Sequence, residues 1–107
     1  MQAIVSGPDE DDITGALENE GVEVRRVESP LSRPRLEEAG IVEADLYVLT
    51  DVAEATTIPI AYDLNDNLRT LTYTRETIPE FVKGQLDLAI DPRLVEPDVV
   101  AEELAGN

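Results

Sequence analysis

Strand-like and helix-like segments alternate along this chain from end to end, and that alternation constrains its fold more than any other feature. Residues 2–6 read as a short apolar strand that ends at Gly7-Pro8. Asp11 or Asp12 can cap a helix running to Asn19 or Glu20, with Ile13, Ala16 and Leu17 on one face and Gly21 as its stop. Residues 22–28 alternate as a second strand, Val22 and Val24 pointing one way and Val27 the other. Ser29-Pro30-Leu31-Ser32 is turn chemistry, and residues 33–39 form a short helix closed by Gly40. Leu46-Tyr47-Val48-Leu49 is an unbroken apolar run, suited to a central parallel strand buried on both faces.

The second half repeats the pattern. Residues 54–64 carry Ala55, Ile58, Ala61 and Tyr62 at helical spacing, and Pro59 either kinks this helix or moves its start towards Thr56-Thr57. Residues 68–74 alternate Leu and Thr, as a half-buried or edge strand does. Thr77 is placed to cap a helix with Pro79 in its first turn and Ile78, Phe81, Val82 and Leu86 on its apolar face. Leu88-Ala89-Ile90 is a last short strand, and Pro97 opens a terminal helix with Val100, Ala101 and Leu104 inward. Five strands and five helices with short connections predict one α/β domain over residues 1–107, a three-layer sandwich around a five-stranded parallel sheet. Two doubly wound strand orders are common, 3-2-1-4-5 of the Rossmann type and 2-1-3-4-5 of the flavodoxin type; the Rossmann-like order 3-2-1-4-5 is the expectation here.

Charge decides which functions such a fold can carry. The chain has 24 Asp and Glu against 8 Lys and Arg, a net charge of -16, and Lys83 is its one lysine. Self-repulsion on that scale strains a compact domain, and molar salt relieves it, because the Debye length falls to about 3 Å at 1 M. The acidity therefore points to a saline, halophilic cytoplasm rather than to a partner. Phosphate contacts need a basic stripe, which excludes nucleic acid. The absence of Cys and His removes disulfides, thiol or Ser–His nucleophiles, zinc clusters and iron–sulfur ligation. No apolar stretch approaches the length of a membrane span, so no membrane insertion is expected and a cytoplasmic protein is.

Several stretches resemble the second half of TrkA-N (RCK-type) NAD-binding domains: Thr50-Asp51…Glu54…Ile58-Pro59-Ile60-Ala61…Leu64-Asn65, then Leu71…Tyr73-Thr74-Arg75, then Leu86-Asp87-Leu88-Ala89-Ile90-Asp91-Pro92. The chain is also similar to a group of small haloarchaeal proteins, some labelled CTP synthetase, although it has no glutaminase Cys or His and no P-loop. The resemblance to TrkA-N implies a Rossmann-like domain, NAD or another nucleotide as the candidate cofactor, and a homodimer or protein partner through an apolar helix face.

The first crossover departs from that pattern. A dinucleotide fingerprint needs three glycines, for the tight turn, the approach of backbone to pyrophosphate and helix–strand packing. The same register here reads Gly7-Pro8-Asp9-Glu10-Asp11-Asp12, with Asp9 and Asp12 where glycines belong. One carboxylate about 4 Å from a phosphate opposes it by roughly 4 kcal/mol at an effective dielectric of 20, more than the ~0.3–1 kcal/mol of a helix dipole. Glu28, 21 positions after Gly7, stands where dinucleotide sites keep an acid for ribose hydroxyls, but in so acidic a chain it reads more readily as a solvated acid.

In a doubly wound sheet the carboxyl ends of the strands gather the candidate binding residues Gly7, Asp9, Glu28, Thr50, Asp51 and Arg75. Arg75 and Arg93 are the cations of that edge, free to clamp an anion or to pair with neighbouring acids. Asp9, Asp51 and Asp91 form a candidate hard-cation set for a metal-dependent phosphotransfer enzyme. A receiver domain wants an acidic pair after the first strand, an Asp after the third, Thr or Ser after the fourth and Lys after the fifth. Asp9–Asp12, Asp51 and Thr74 fit, whereas the last position offers Asp91-Pro92. The primary expectation is a non-catalytic regulatory or interaction module with a degenerate dinucleotide loop. The alternatives are a nucleotide sensor and a receiver-like or metal-dependent phosphotransfer domain.

Overall fold

The computed structural model describes residues 1–28 and 31–106; the turn expected at Ser29-Pro30 lies outside the described residues. Five strands alternate with five helices as the sequence predicts: β1 (Gln2–Ser6), α1 (Ile13–Asn19), β2 (Glu23–Val27), α2 (Arg33–Glu38), β3 (Leu46–Leu49), α3 (Thr57–Leu64), β4 (Arg69–Tyr73), α4 (Glu80–Lys83), β5 (Leu88–Ile90) and α5 (Pro97–Ala105), with 3-10 turns at Ile41–Glu43 and Val52–Glu54. All the strand pairs are parallel. No helix among the described residues is long and apolar enough to cross a membrane.

The doubly wound α/β architecture is the expected one, and its strand order corrects the expectation. The sheet runs β2-β1-β3-β4-β5 rather than 3-2-1-4-5. Side-chain chemistry explains the difference. β2 carries Glu23, Arg25 and Arg26, all exposed or half-exposed, so charge lies on both of its faces and it belongs at an edge. β3 is apolar throughout and completely buried, so it takes the middle, between β1 and β4. The Rossmann order would have put β3 at the rim and β2 inside. β4 is likewise no edge strand: β3 and β5 flank it, and Thr70 and Thr72 are buried.

Two apolar layers close the sandwich. Ala3, Val5, Leu46, Val48 and Leu71 face α1 and α5, meeting Ile13, Leu17, Val100 and Leu104. Ile4, Tyr47 and Leu49 face the opposite way, onto Leu36, Ile58, Ala61 and Val82. The alternation of one strand's residues between two cores follows from the two-residue pleat. Pro59 is the third residue of α3, where a missing N–H costs nothing because the first helical N–H groups have no intrahelical partner. Tyr47 is fully buried on that side, and its hydroxyl sits 2.7 Å from Thr57 Oγ1, which itself donates to the Glu54 carbonyl at 2.7 Å. Burial first, eased only in part by hydrogen bonding, pushes the Tyr47 phenol up.

The segment before β5 departs from expectation. α4 spans one turn, Glu80–Lys83, with Pro79 rather than Thr77 at its N-cap and no side-chain cap bond. Val82 is buried, whereas Phe81, expected inward, is 61 % exposed.

Candidate functional site

The carboxyl ends of the strands meet at a cleft of about 280 Å³ between the β1–α1 loop, the segment after β3 and the segment after β4. Asp9, Asp11, Thr50, Asp51, Tyr73 and Arg75 line it. A second recess of about 280 Å³ lies beside it, bounded by Gly7, Pro8, Arg26, Glu28 and Asp51. The candidate residues Gly7, Asp9, Glu28, Thr50, Asp51 and Arg75 therefore all reach one edge of the sheet, split between two neighbouring depressions.

Most of their polar atoms are spent on the protein itself. Gly7 has φ +98°, a conformation that favours glycine, and a Cβ there would lie 2.5 Å from Thr50 Oγ1. The Thr50 hydroxyl donates to the Ser6 carbonyl at 3.1 Å and also contacts the Pro8 carbonyl. Arg26 donates to the Gly7 carbonyl at 2.6 Å and pairs with Asp9 at 3.3 Å. The loop that would have to open its backbone to a pyrophosphate is thus stapled from both sides, by Thr50 and by Arg26.

The start of α1 is closed in the same way. Asp9 accepts from the N–H groups of Ile13 (2.8 Å) and Thr14 (3.0 Å). Asp12, the N-cap, adopts φ 55° and accepts from Gly15 N–H at 3.1 Å. Gly15 leaves the room this cap needs, since a Cβ there would strike the Asp12 carboxylate. The helix's first donors are consumed by two carboxylates that the chain supplies, which leaves an incoming phosphate no donors and a repulsive field. Burial raises the Asp9 carboxyl, but other effects outweigh it and lower it overall. They are the Thr14 hydroxyl, which lies nearby without completing a hydrogen bond, the Thr14 and Ile13 N–H groups, and the Arg26 charge.

The remaining candidates are similarly engaged. Asp51 accepts from Ala53 N–H at 2.9 Å and so starts the 3-10 turn after β3. Arg75 pairs with Asp11 at 3.1 Å. Arg93 pairs with Asp91 at 2.7 Å, and its side-chain and backbone hydrogen bonds hold the Asp91 carboxyl below its ordinary range. Thr74 accepts from Glu76 N–H at 3.1 Å, closing its own turn. Tyr73 donates to the Val95 carbonyl at 2.8 Å; burial, then the Asp11 charge, pushes its phenol up to about 12, so it stays a donor.

Among the described residues no three acids converge as metal ligands, and Asp9, Asp51 and Asp91 do not gather into one set. Sequence reasoning missed Arg26, which joins the edge strand β2 to the β1–α1 loop. An arginine at the carboxyl end of a strand, one strand from an acidic loop, was the available signal.

Comparison with known proteins gives a fold and a family. No curated protein matches the chain significantly. Several solved structures are similar, three of them as follows. One is an atypical orphan response regulator, with a structure described as revealing a phosphorylation-independent regulatory mechanism (TM-score 0.71, 14% identity, covering 99% of this chain and 93% of that one). The second is a protein described as a pilus assembly protein, CpaE, from Burkholderia thailandensis (TM-score 0.67, 14% identity, 99% and 98% covered). The third is a pilus assembly-related protein from Burkholderia pseudomallei (TM-score 0.61, 15% identity, 99% and 90% covered). At such identities the likeness concerns the fold, which is that of receiver-like doubly wound domains. The resemblance to TrkA-N domains, with the nucleotide-binding Rossmann character it implied, is overturned by this strand order, these neighbours and the family match. The likeness to the CTP synthetase-labelled group falls with it. Residues 3–104 match the model of DUF7126, a family of unknown function, and the chain belongs to that family.

Proposed function

We propose that this chain is a receiver-like regulatory module that works by protein contact and not by aspartyl phosphorylation, in a saline cytoplasm. The observation that carries the reading is the state of Asp9. A receiver-type acid after β1 must offer its oxygens to a cation, whereas Asp9 holds two α1 N–H groups and Arg26. Two further features support it. The position after β5 holds Asp91-Pro92-Arg93, with Arg93 tied to Asp91, where a phosphoacceptor site needs a free cation. Asp51, in the phosphoacceptor place after β3, caps a turn. A phosphoryl group at Asp51 would enter among Asp9, Glu10 and Asp11 with no unpaired cation beside it.

Incubation with acetyl phosphate and Mg²⁺ in molar KCl, read by intact mass, tests this. The expected result is an unmodified chain. A phosphoryl adduct that Asp51→Asn abolishes would overturn the reading.

A further inference from the structure

The two free edges of the sheet differ in kind. β2 protects its edge with Glu23, Arg25 and Arg26. β5 pairs with β4 on one side and has no strand on the other among the described residues. Its three residues carry no charge, and Asp87 and Asp91 flank them. The pleat gives this edge two unlike faces. Leu88 and Ile90 pair with Leu71 and Tyr73 and lie on the α5 side, along an apolar groove of about 280 Å³ that Val95, Val99, Val100 and Leu104 complete. Leu88 and Val99 are exposed at its rim. Arg69 and Glu103 also line it, one charge of each sign, so the groove is neutral. Asp87 and Ala89 lie on the other face, where the Tyr62 hydroxyl of α3 donates to Asp87 at 3.0 Å, and both are exposed. Asp87 has no ion pair among the described residues, whereas Asp91 holds Arg93.

We propose that this edge docks an extended segment of a partner protein that alternates apolar and cationic side chains and adds to β5 as a further strand. Strand addition gives partners to the outer backbone groups of β5. In a strand laid beside β5, successive side chains point to opposite faces. One set enters the neutral groove against Leu88, Ile90 and Val99, which suits Val, Ile or Leu. The other set stands beside Asp87, which suits Arg or Lys. The wider field draws the same partner. The chain carries a net charge of -16, and residues 76–106 hold eight acids and two cations, Lys83 and Arg93, each already paired with an acid. Those acids also disfavour a second copy of the chain. Two β5 strands paired antiparallel about Ala89 would set Asp87 of each against Asp91 of the other. The proposal rests on the reading that the chain works by protein contact, and gives it a surface and a partner chemistry. It stands on β5 and not on Asp51, so a phosphoryl adduct at Asp51 would sink the regulatory reading and leave this one to its own test.

A synthetic peptide alternating Val and Arg over about six residues, an ordinary strand length, provides that test. It is titrated into the full chain in molar KCl and followed by amide NMR. The expected result is a saturable shift of the Leu88, Ala89 and Ile90 N–H signals with a Kd below about 1 mM. Leu88→Asp and Val99→Asp should each raise that Kd at least about tenfold; the second lies on an exposed helix face and decides the matter if the first fails to fold. Asp87→Asn keeps an acceptor for Thr70 N–H and the Tyr62 hydroxyl but removes the charge, and should raise the Kd about twofold or more. A peptide alternating Val and Glu should not bind. No saturation below about 1 mM, equal binding of the Val and Glu peptide, a Kd unchanged in Asp87→Asn or in Val99→Asp, or shifts confined to the cleft beside Asp9 and Asp51 would each overturn the proposal. So would a dimer of the chain alone, seen by sedimentation velocity, that Leu88→Asp abolishes, since a second copy would then own the face.

Discussion

The β1–α1 loop and the β4–α4–β5 side of the molecule use similar raw material in opposite ways. Both contain a proline, exposed acids and a short helix. In the first, Thr50, Arg26, Asp9 and Asp12 tie the Ser6, Gly7 and Pro8 carbonyls and the N–H groups of Ile13, Thr14 and Gly15 to side chains. In the second, α4 is one turn with no side-chain cap, and Phe81 faces water. Its firm point is a polar knot below β5. Thr70 N–H donates to Asp87 at 2.8 Å, Tyr62 hydroxyl donates to Asp87 at 3.0 Å, and Thr70 hydroxyl donates to the Gln85 carbonyl at 3.1 Å. The lesson is that an acidic sequence does not mark its own sites. Carboxylates that look like ligands in the first region are caps, and the second region, with fewer of them in use, has the surface left over for contact.

Substitutions can break or sharpen that contrast. The largest effect belongs to Gly7→Ala, which combines a positive φ with a clash against Thr50 Oγ1. It should destabilise the domain by about 3 kcal/mol, read by chemical denaturation in molar KCl. A loss no greater than for an ordinary surface change would mean that the loop is not braced. Next comes Asp9→Ala, which strands two N–H groups and Arg26 and should cost about 1–3 kcal/mol. Because the folded Asp9 carboxyl is lowered from its ordinary value, its contribution is fully present above the unfolded pKa near 3.9. It is lost as pH falls through the folded value. The stability gap between wild type and Asp9→Ala should therefore narrow below about pH 4; a gap independent of pH would detach Asp9 from the cap. The smallest effect is on the open side, where Phe81→Ser should change stability by no more than about 0.5 kcal/mol. A loss like that of Asp9→Ala would show that Phe81 packs after all.

Much of the fold was legible because local patterns and tertiary needs agree. Leu46–Leu49 could only be a buried strand, and Pro59 marked the start of α3 within a residue or two. The strand order was legible too, had the charges of β2 been weighed against the apolar run of β3. The TrkA-N likeness pulled towards an order that makes β3 an edge. The α4 segment misled because Ile78, Phe81, Val82 and Leu86 have helical spacing, yet Pro79 and Gly84 cut the helix to four residues and turn Phe81 outward. At the candidate site, sequence placed Gly7, Asp9, Glu28, Thr50, Asp51 and Arg75 on one edge of the sheet, and there the structure gathers them. The Asp12 cap was legible, but sequence could not show that Asp9 also curls back onto α1, because a cap and a ligand use the same atom and differ only in what lies across from it.

The central claim is that Asp9 and Asp51 are structural caps rather than cation ligands, and amide NMR with a Mg²⁺ titration addresses it most directly. At constant ionic strength in KCl, the N–H signals of Ile13, Thr14 and Ala53 should stay fixed as Mg²⁺ rises. Saturable shifts of Ala53 together with Ile13 and Thr14, removed by Asp51→Asn, would contradict the account.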